Sequence, residues 1–199
     1  MQYFEEVRTA LLKYQHLGME KSENGTLLIG RAPHVAKQAW LHSIYPTLND
    51  QEVGKLESEL NMPIPESYKS FLQNGSNGLG VFVGKFSLYG LRKDLGRTIE
   101  ASRQPYSPDV ANIYERPKNA KTSYFFIGGY KWDGSKLYID TETNLVHFSD
   151  RWDATSLYKW NSFEEMLVSE IKRLVQLFDA EGKIIDAKLY TTPVAREQA

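Results

Sequence analysis

The stretch from Asn49 to Gly78, NDQEVGKLESELNMPIPESYKSFLQNGSNG, constrains the fold more than any other part of the chain. Asn49 followed three residues later by Glu52 is a capping-box pattern, which satisfies the exposed N–H groups of a helix start. Val53, Leu56 and Leu60 then share one helical face. Pro63 ends that helix, and Pro65 suits the first turn of another, where its missing N–H costs nothing. Tyr68, Phe71 and Leu72 give the second helix a compact apolar side. Asn74-Gly75 predicts its stop, with glycine in the left-handed conformation, and Asn77-Gly78 a further turn. Phe86, Leu88, Tyr89 and Gly90 follow as a short apolar strand.

The rest of the chain predicts helices around a block of strands. Phe4, Val7, Leu11 and Tyr14 recur at helical spacing, giving an N-terminal helix to about Leu17. Leu27 to Ile29 reads as a short strand, and His34 to Tyr45 as a helix with Val35, Ala39 and Trp40 inward. Val81 and Val83 alternate with Phe82, extending the strand pattern to Gly84. Residues 103–120, with Pro105, Pro108 and Pro117, read as a long loop. Tyr124 to Tyr130 suits a central strand, and Asp133-Gly134 a hairpin turn. Leu137 and Ile139 then face one side, with Lys136, Tyr138 and Asp140 opposite. Thr141 to Asn144 turns the chain into Val146 and Phe148. Ser162 and Glu165 repeat the capping-box spacing ahead of an apolar stripe from Phe163 to Phe178, stopped at Gly182, and Ile184-Ile185 suggests an edge strand.

Together these elements predict an α+β fold, one antiparallel sheet packed by helices. With 199 residues, one domain with a real core is the expectation. Residues 1–44 are expected as a helical extension packed on the domain, 45–182 as the α+β domain, and 183–199 as a strand or loose tail.

Composition narrows the chemistry. The net charge is −1, from 24 basic and 25 acidic residues, and no charge run resembles a nucleic-acid tail, so no direct nucleic-acid binding is expected. The chain has no cysteine, which removes thiol nucleophiles and thiolate metal sites. The N-terminus, MQYFEEVRTALLKYQ, lacks the apolar core of a signal peptide, and no apolar run approaches the ~20 residues of a membrane span. A cytoplasmic protein is the expectation.

No constellation of residues points to catalysis, a metal or a cofactor. The glycines of Asn74 to Gly80 follow a helix and precede a strand, the wrong order for a phosphate loop. His16, His34, His42 and His147 lack the spacing of a helical metal site. His147 with Asp150 or Asp153 is read as a solvent-facing histidine beside a turn rather than a base and its orienting acid. The carboxylates Asp50, Glu52, Glu57, Glu59, Glu164, Glu165 and Glu170 read as solvated helix faces. The aromatic residues are more suggestive, because tryptophan, tyrosine and arginine dominate binding hot spots. Trp132 neighbours Asp133, and Trp152 lies between Arg151 and Asp153. Core packing is the other reading of each aromatic residue taken alone; Tyr138 and Asp140, with Tyr130, have the better joint claim, a polar-aromatic binding face if that side of the strand is open.

The pattern P-x-P-x-x-Y-K-x-F-L-x-N-G at residues 63–75, followed by Leu88-Tyr89-Gly90, resembles the SUKH superfamily, the Smi/Knr-type domain. Phe125 to Gly129, Asp133-Gly134, Leu137 to Asp140 and Ser162 to Leu167 extend the resemblance in order, over roughly residues 45–180. The segment Arg92 to Thr122 and the first 44 residues depart from its shortest form. The resemblance implies a non-enzymatic binding protein. It most often implies an immunity protein that neutralises a cognate bacterial toxin of nuclease or deaminase type. The alternative is a regulatory adaptor or peptide-binding module, as in fungal relatives linked to cell-wall signalling. A tight complex of this kind needs a dissociation constant on the order of nanomolar. The expected partner surface is Trp132, Asp133, Tyr138, Asp140, Trp152 and Asp153, acidic groups around an aromatic centre that suit a basic toxin. Pro65, Tyr68, Phe71, Asn74 and Gly75 are assigned to structure.

Overall fold

The frame is a sheet of nine strands in which sequence order is also spatial order, each pairing antiparallel to the last. The computed structural model describes residues 1–194; residues 195–199, the end of the expected tail, lie outside the described residues. The strands are β1 (Met19–Lys21), β2 (Leu27–Arg31), β3 (Trp40–Ile44), β4 (Leu79–Val81), β5 (Phe86–Leu88), β6 (Tyr124–Tyr130), β7 (Lys136–Asp140), β8 (Val146–Ser149) and β9 (Ser156–Trp160). The helices are α1 (Gln2–Leu12), α2 (Asp50–Leu60), α3 (Glu66–Asn74), the single turn α4 (Ile99–Ser102) and α5 (Phe163–Val175). The protein is therefore an α+β domain, a meander with its long helices on one face.

Three strands precede α2, so residues 1–44 carry one long helix and a third of the strands rather than helices alone. The helix expected at His34 to Tyr45 is instead β3. It pairs with β2 on one side (Ile29 opposite His42) and β4 on the other (Ser43 opposite Gly80). Backbone pairing on both edges overrides a local pattern that only weakly favours a helix.

The central motif folds as its residues dictate. The Asn49 side chain accepts from the Glu52 N–H at 2.9 Å while the Glu52 carboxylate accepts from the Asn49 N–H at 3.0 Å. Val53, Leu56 and Leu60 are buried. The Tyr68 hydroxyl donates to the carbonyls of Tyr89 (2.5 Å) and Ile127 (3.0 Å), pinning α3 to the centre of the sheet. The Asn77 side chain donates to the Leu91 carbonyl and accepts from its N–H, at 2.8 and 2.7 Å. A Cβ on Gly90 would stand 2.3 Å from that carboxamide, which accounts for the glycine of Leu88-Tyr89-Gly90. Gly75 is not left-handed (φ −114°); it is required because a Cβ would meet the Phe71 ring and carbonyl at 3.0 Å.

Two further expectations shift. The β4 strand stops at Val81, and Phe82 and Val83 lie in the β4–β5 loop with φ of +48° and +56°. Helix α5 ends at Val175, not Gly182. Phe178 and Ile184 form an isolated bridge in place of the edge strand, closed by a turn at Asp179 to Lys183. At its start, the Ser162 hydroxyl accepts from Glu165, and Glu165 reaches back to the Asn161 N–H.

The two sheet faces carry different loads. Leu137, Ile139, Phe148 and Phe125 face the main core with α1, α2, α3 and α5. On the opposite face Phe126 and Tyr138 form a smaller cluster with Ala111 and Ala154. The segment 92–122 roofs this cluster. Asn112 fixes it there, donating to the Phe126 carbonyl at 2.8 Å and accepting from the Phe126 N–H at 2.9 Å.

Candidate partner-binding surface

Loops at one end of the sheet carry the exposed aromatic residues. The β4–β5 loop, residues 82–85, lies against the β6–β7 loop, residues 131–135, joined by the Lys131 N–H donating to the Lys85 carbonyl at 3.2 Å. The second loop spans four residues beyond the Tyr130–Ser135 backbone bond, longer than the two-residue turn expected of Asp133-Gly134. Asp133 shapes it by accepting from the Ser135 N–H at 2.9 Å. Trp132 projects from its tip, 57% exposed, with the Lys85 ammonium 5.6 Å from its ring centre.

The first loop is held against its own strain. A β-branched residue in the left-handed region is costly, yet Val83 adopts it while donating to the Leu41 carbonyl at 2.9 Å. The Phe82 ring stacks on Phe178 at 3.7 Å and meets His42 edge-on. These contacts fix the base from which Lys85 reaches Trp132.

Trp152 stands on the neighbouring connection, 60% exposed. Its ring has the Arg151 guanidinium 4.8 Å and the Lys136 ammonium 5.3 Å from its centre, within cation–π range. Arg151 grips the Glu115 carboxylate with Nε at 3.2 Å and Nη2 at 2.9 Å, and the Lys136 ammonium donates to the Glu115 carbonyl. The Arg151 hydrogen bond, with its charge, holds the Glu115 carboxyl below its ordinary pKa, and burial pulls the Lys136 ammonium down. The Arg151 stem fills the space over Gly134, where a Cβ would lie 2.9 Å away. Arg151 thus links Trp152 to the loop bearing Trp132. Beyond Trp152 the surface continues into a cleft lined by Tyr114, Arg116, Lys118 and Asn119.

Of the residues expected at a partner surface, the structure brings Trp132 and Trp152 to one end of the sheet, with Asp133 and Asp153 beside them in turns, Asp133 partly buried and Asp153 exposed. Asp153 accepts from the Thr155 N–H at 2.8 Å and from Asn119 at 2.7 Å, and hydrogen bonding from Thr155 foremost, then Asn119, lowers its pKa. The open face expected at Tyr138 and Asp140 is corrected. Tyr138 is 1% and Asp140 7% exposed, and Ala111 of segment 92–122 packs in one cluster with Tyr138 on that side of β7. The Tyr138 hydroxyl donates to the Ala154 carbonyl at 2.9 Å, and its ring lies between Tyr124 and His147. Tyr130 is also buried, on the other face, with Glu170. His147 is half-buried against Tyr138, with burial lowering its pKa. Cations lie over both tryptophans, and with Arg151 paired to Glu115 and Asp133 and Asp153 beside the rings the border is mixed in charge rather than the acidic border expected.

The sequence reading did not single out a cavity of about 240 Å³ beside Trp132, lined by Ser87, Tyr89, Tyr106, Val110, Lys131 and Ser135 over glycines 84, 129 and 134. Its one sequence signal is Gly128-Gly129, which becomes meaningful only when β5 and β6 are adjacent and set these glycines opposite Leu88 and Ser87. Among the described residues, no group of three or more His, Cys, Asp or Glu is arranged to hold a metal ion. No helix among them is long and apolar enough to cross a membrane.

The model of the SMI1 / KNR4 family (SUKH-1) matches residues 47–169, more than half of the chain. That interval runs from the capping box of α2 into α5 and includes both exposed tryptophans. No curated protein matches the chain.

Proposed function

The chain belongs to the SMI1 / KNR4 family (SUKH-1), and on that premise we propose that it is a non-enzymatic immunity protein that binds and neutralises a cognate bacterial toxin domain. The mechanism is stoichiometric: the domain occupies the toxin and blocks its active site or locks its shape. The observation that carries this reading is the pair of solvent-facing tryptophans, Trp132 and Trp152, held on a rigid sheet end by stacked cations. Aromatic and arginine side chains at fixed positions supply binding energy with little ordering cost. The partner surface is the strip from Lys85 and Trp132 through Arg151 to Trp152 and Asp153. Asp133 shapes it from below and Tyr138 supports it from within through the Ala154 carbonyl, while Asp140 lies at the far end of β7. Within the strip Lys85, on the rim over Trp132, steers encounter toward an acidic patch on the toxin, not the basic surface expected from sequence.

The test is capture followed by rescue. The tagged protein is used to capture a partner from its source organism, and that partner is expressed alone and beside this protein. Toxicity that disappears on co-expression, and returns when Trp132 and Trp152 are both changed to alanine, supports the reading. A harmless partner would move the protein to the adaptor role, and rescue unaffected by the double change would place the surface elsewhere.

A further inference from the structure

The cavity beside Trp132 has the chemistry of a binding site in its own right. At about 240 Å³ it is smaller than the ~300 Å³ at which drug-sized sites begin, so it is sized for one side chain or a fragment. Its floor is glycine. A Cβ on Gly84 would stand 3.6 Å from Ser87 Oγ and 4.0 Å from the Tyr106 hydroxyl, with nothing closer, whereas the space beside Gly129 holds the Ser135 carbonyl, 2.2 Å from where its Cβ would lie, with the Tyr89 hydroxyl 3.3 Å away. The Ser87 and Tyr106 hydroxyls therefore border the space that Gly84 leaves open, and Tyr89 lines the same cavity. Ser135, 1% exposed, also lines the cavity, and its Oγ is buried with no hydrogen-bond partner. A buried hydroxyl left unsatisfied costs stability, which is consistent with a group that waits for a ligand.

The lining also selects the ligand's charge. It offers hydroxyl donors and one ammonium, Lys131, but no carboxylate. Burial, with the nearby Glu115 charge adding to it, raises the Tyr89 phenol to about 12, so it remains a donor at neutral pH. The Glu115 carboxylate is itself paired with Arg151 at 2.9 Å. The walls around these donors are the rings of Tyr89 and Tyr106 and the side chain of Val110, surfaces suited to methylene groups. We propose that this cavity binds a carboxylate carried on a short methylene stem, the chemistry of a glutamate side chain presented by the partner. The inference rests on the protein-binding reading only for the source of that carboxylate.

The experiment is a titration of the isotope-labelled protein followed at its backbone amides, with three probes: glutamate blocked at both backbone ends, the equally blocked glutamine, and free succinate. Blocked glutamate is expected to move the Gly129, Gly134 and Ser135 signals in a saturable way, with glutamine at least tenfold weaker. Ser135→Ala combined with Tyr89→Phe should weaken glutamate at least tenfold, and Ser135→Ala alone should leave the melting temperature unchanged or raised. Succinate binding more than tenfold tighter than blocked glutamate would assign the site to a free dicarboxylate; otherwise the source is a side chain. No saturable shift at these residues, or equal binding of glutamine and glutamate, overturns the proposal. No partner takes part, so failure here and failure of the toxin rescue are separate results.

Discussion

The Tyr130 hydroxyl donates to Glu170 Oε2 at 2.5 Å inside the main core, and Arg173 closes the same carboxylate with Nε at 3.0 Å and Nη2 at 2.7 Å. Arg173 also donates to the Thr191 carbonyl at 2.7 Å. The cluster ties β6, α5 and the C-terminal segment together through one buried acid. Burial foremost, and then the Glu170 charge, push the Tyr130 phenol well above its ordinary pKa, so it stays a donor. Arg173→Met would leave the carboxylate without its cation and is expected to cost about 3–5 kcal/mol. Adding Glu170→Leu removes the stranded charge and should recover much of that loss. Chemical denaturation of the two variants checks this; equal instability would show that the first loss came from packing alone.

Asn112 should control the roof over β7. Its carboxamide makes both bonds to Phe126 and also donates to the Pro108 carbonyl at 2.9 Å. Asn112→Ala strands a strand N–H and carbonyl under the roof, at about 1–3 kcal/mol. The loss is expected to be local. Amide exchange should rise in residues 103–122 and at Phe126 while α5 keeps its protection. Uniform acceleration across the chain would show that the roof and core open as one unit.

Much of the fold was legible because the signals were local. The Asn49 cap, the Val53, Leu56 and Leu60 face, the alternation of Leu137 and Ile139 against Tyr138, and the Phe4, Val7, Leu11 stripe each declare themselves within a few residues. The failures that moved whole elements or surfaces lie where distant residues decide. β3 is a strand because β2 and β4 border it. Tyr138 is buried because Asn112, from another part of the chain, brings a roof down on it. Alternation told which residues share a face but not whether that face is covered. The same limit applied to charge. Arg151 adjoins Trp152 in sequence, but Lys136 does not, and the pairing of β7 with β8 is what brings it to the same ring.

His42 gives stability a pH dependence. It is fully buried between Tyr14 and Phe82, accepts weakly from the Phe82 N–H at 3.4 Å, and burial lowers its pKa from 6.5 to about 3. Between those values the unfolded chain takes up a proton that the folded protein refuses. Stability from this group is complete above about pH 6.5 and is lost as pH falls toward 3. His42→Leu removes the titration. The folding constant of the wild type, divided by that of the variant, should fall by up to roughly tenfold per pH unit below 6. Denaturant midpoints from pH 7.5 down to 4.5 would show it, and a constant ratio would mean that His42 accepts its proton in place.

Val83 is the clearest site for stabilisation. Left-handed backbone costs an L-residue about 1–2 kcal/mol, and a β-branched side chain is poorly suited to it. Val83→Gly removes that strain and gives up only a half-buried side chain. The expected gain is about 1 kcal/mol, read as a higher denaturant midpoint with an unchanged slope. A lower midpoint would show that the Val83 packing outweighs its strain.

The partner surface makes a prediction in which rings and charges separate. Trp132 and Trp152 are exposed, so changing both to alanine should leave the melting temperature within a degree or two of wild type. The same change should cost about 2 kcal/mol or more in affinity, chiefly through faster dissociation. Lys85 carries no salt bridge among the described residues and sits on the rim over Trp132. Lys85→Glu should instead slow association, with the effect shrinking as salt rises through the range where screening sets in, about 0.1 M and above. Surface-captured partner measured at two ionic strengths resolves both rates. If Lys85→Glu speeds association, the partner is basic, as the sequence alone suggested, and the cations over the tryptophans serve only to orient the rings.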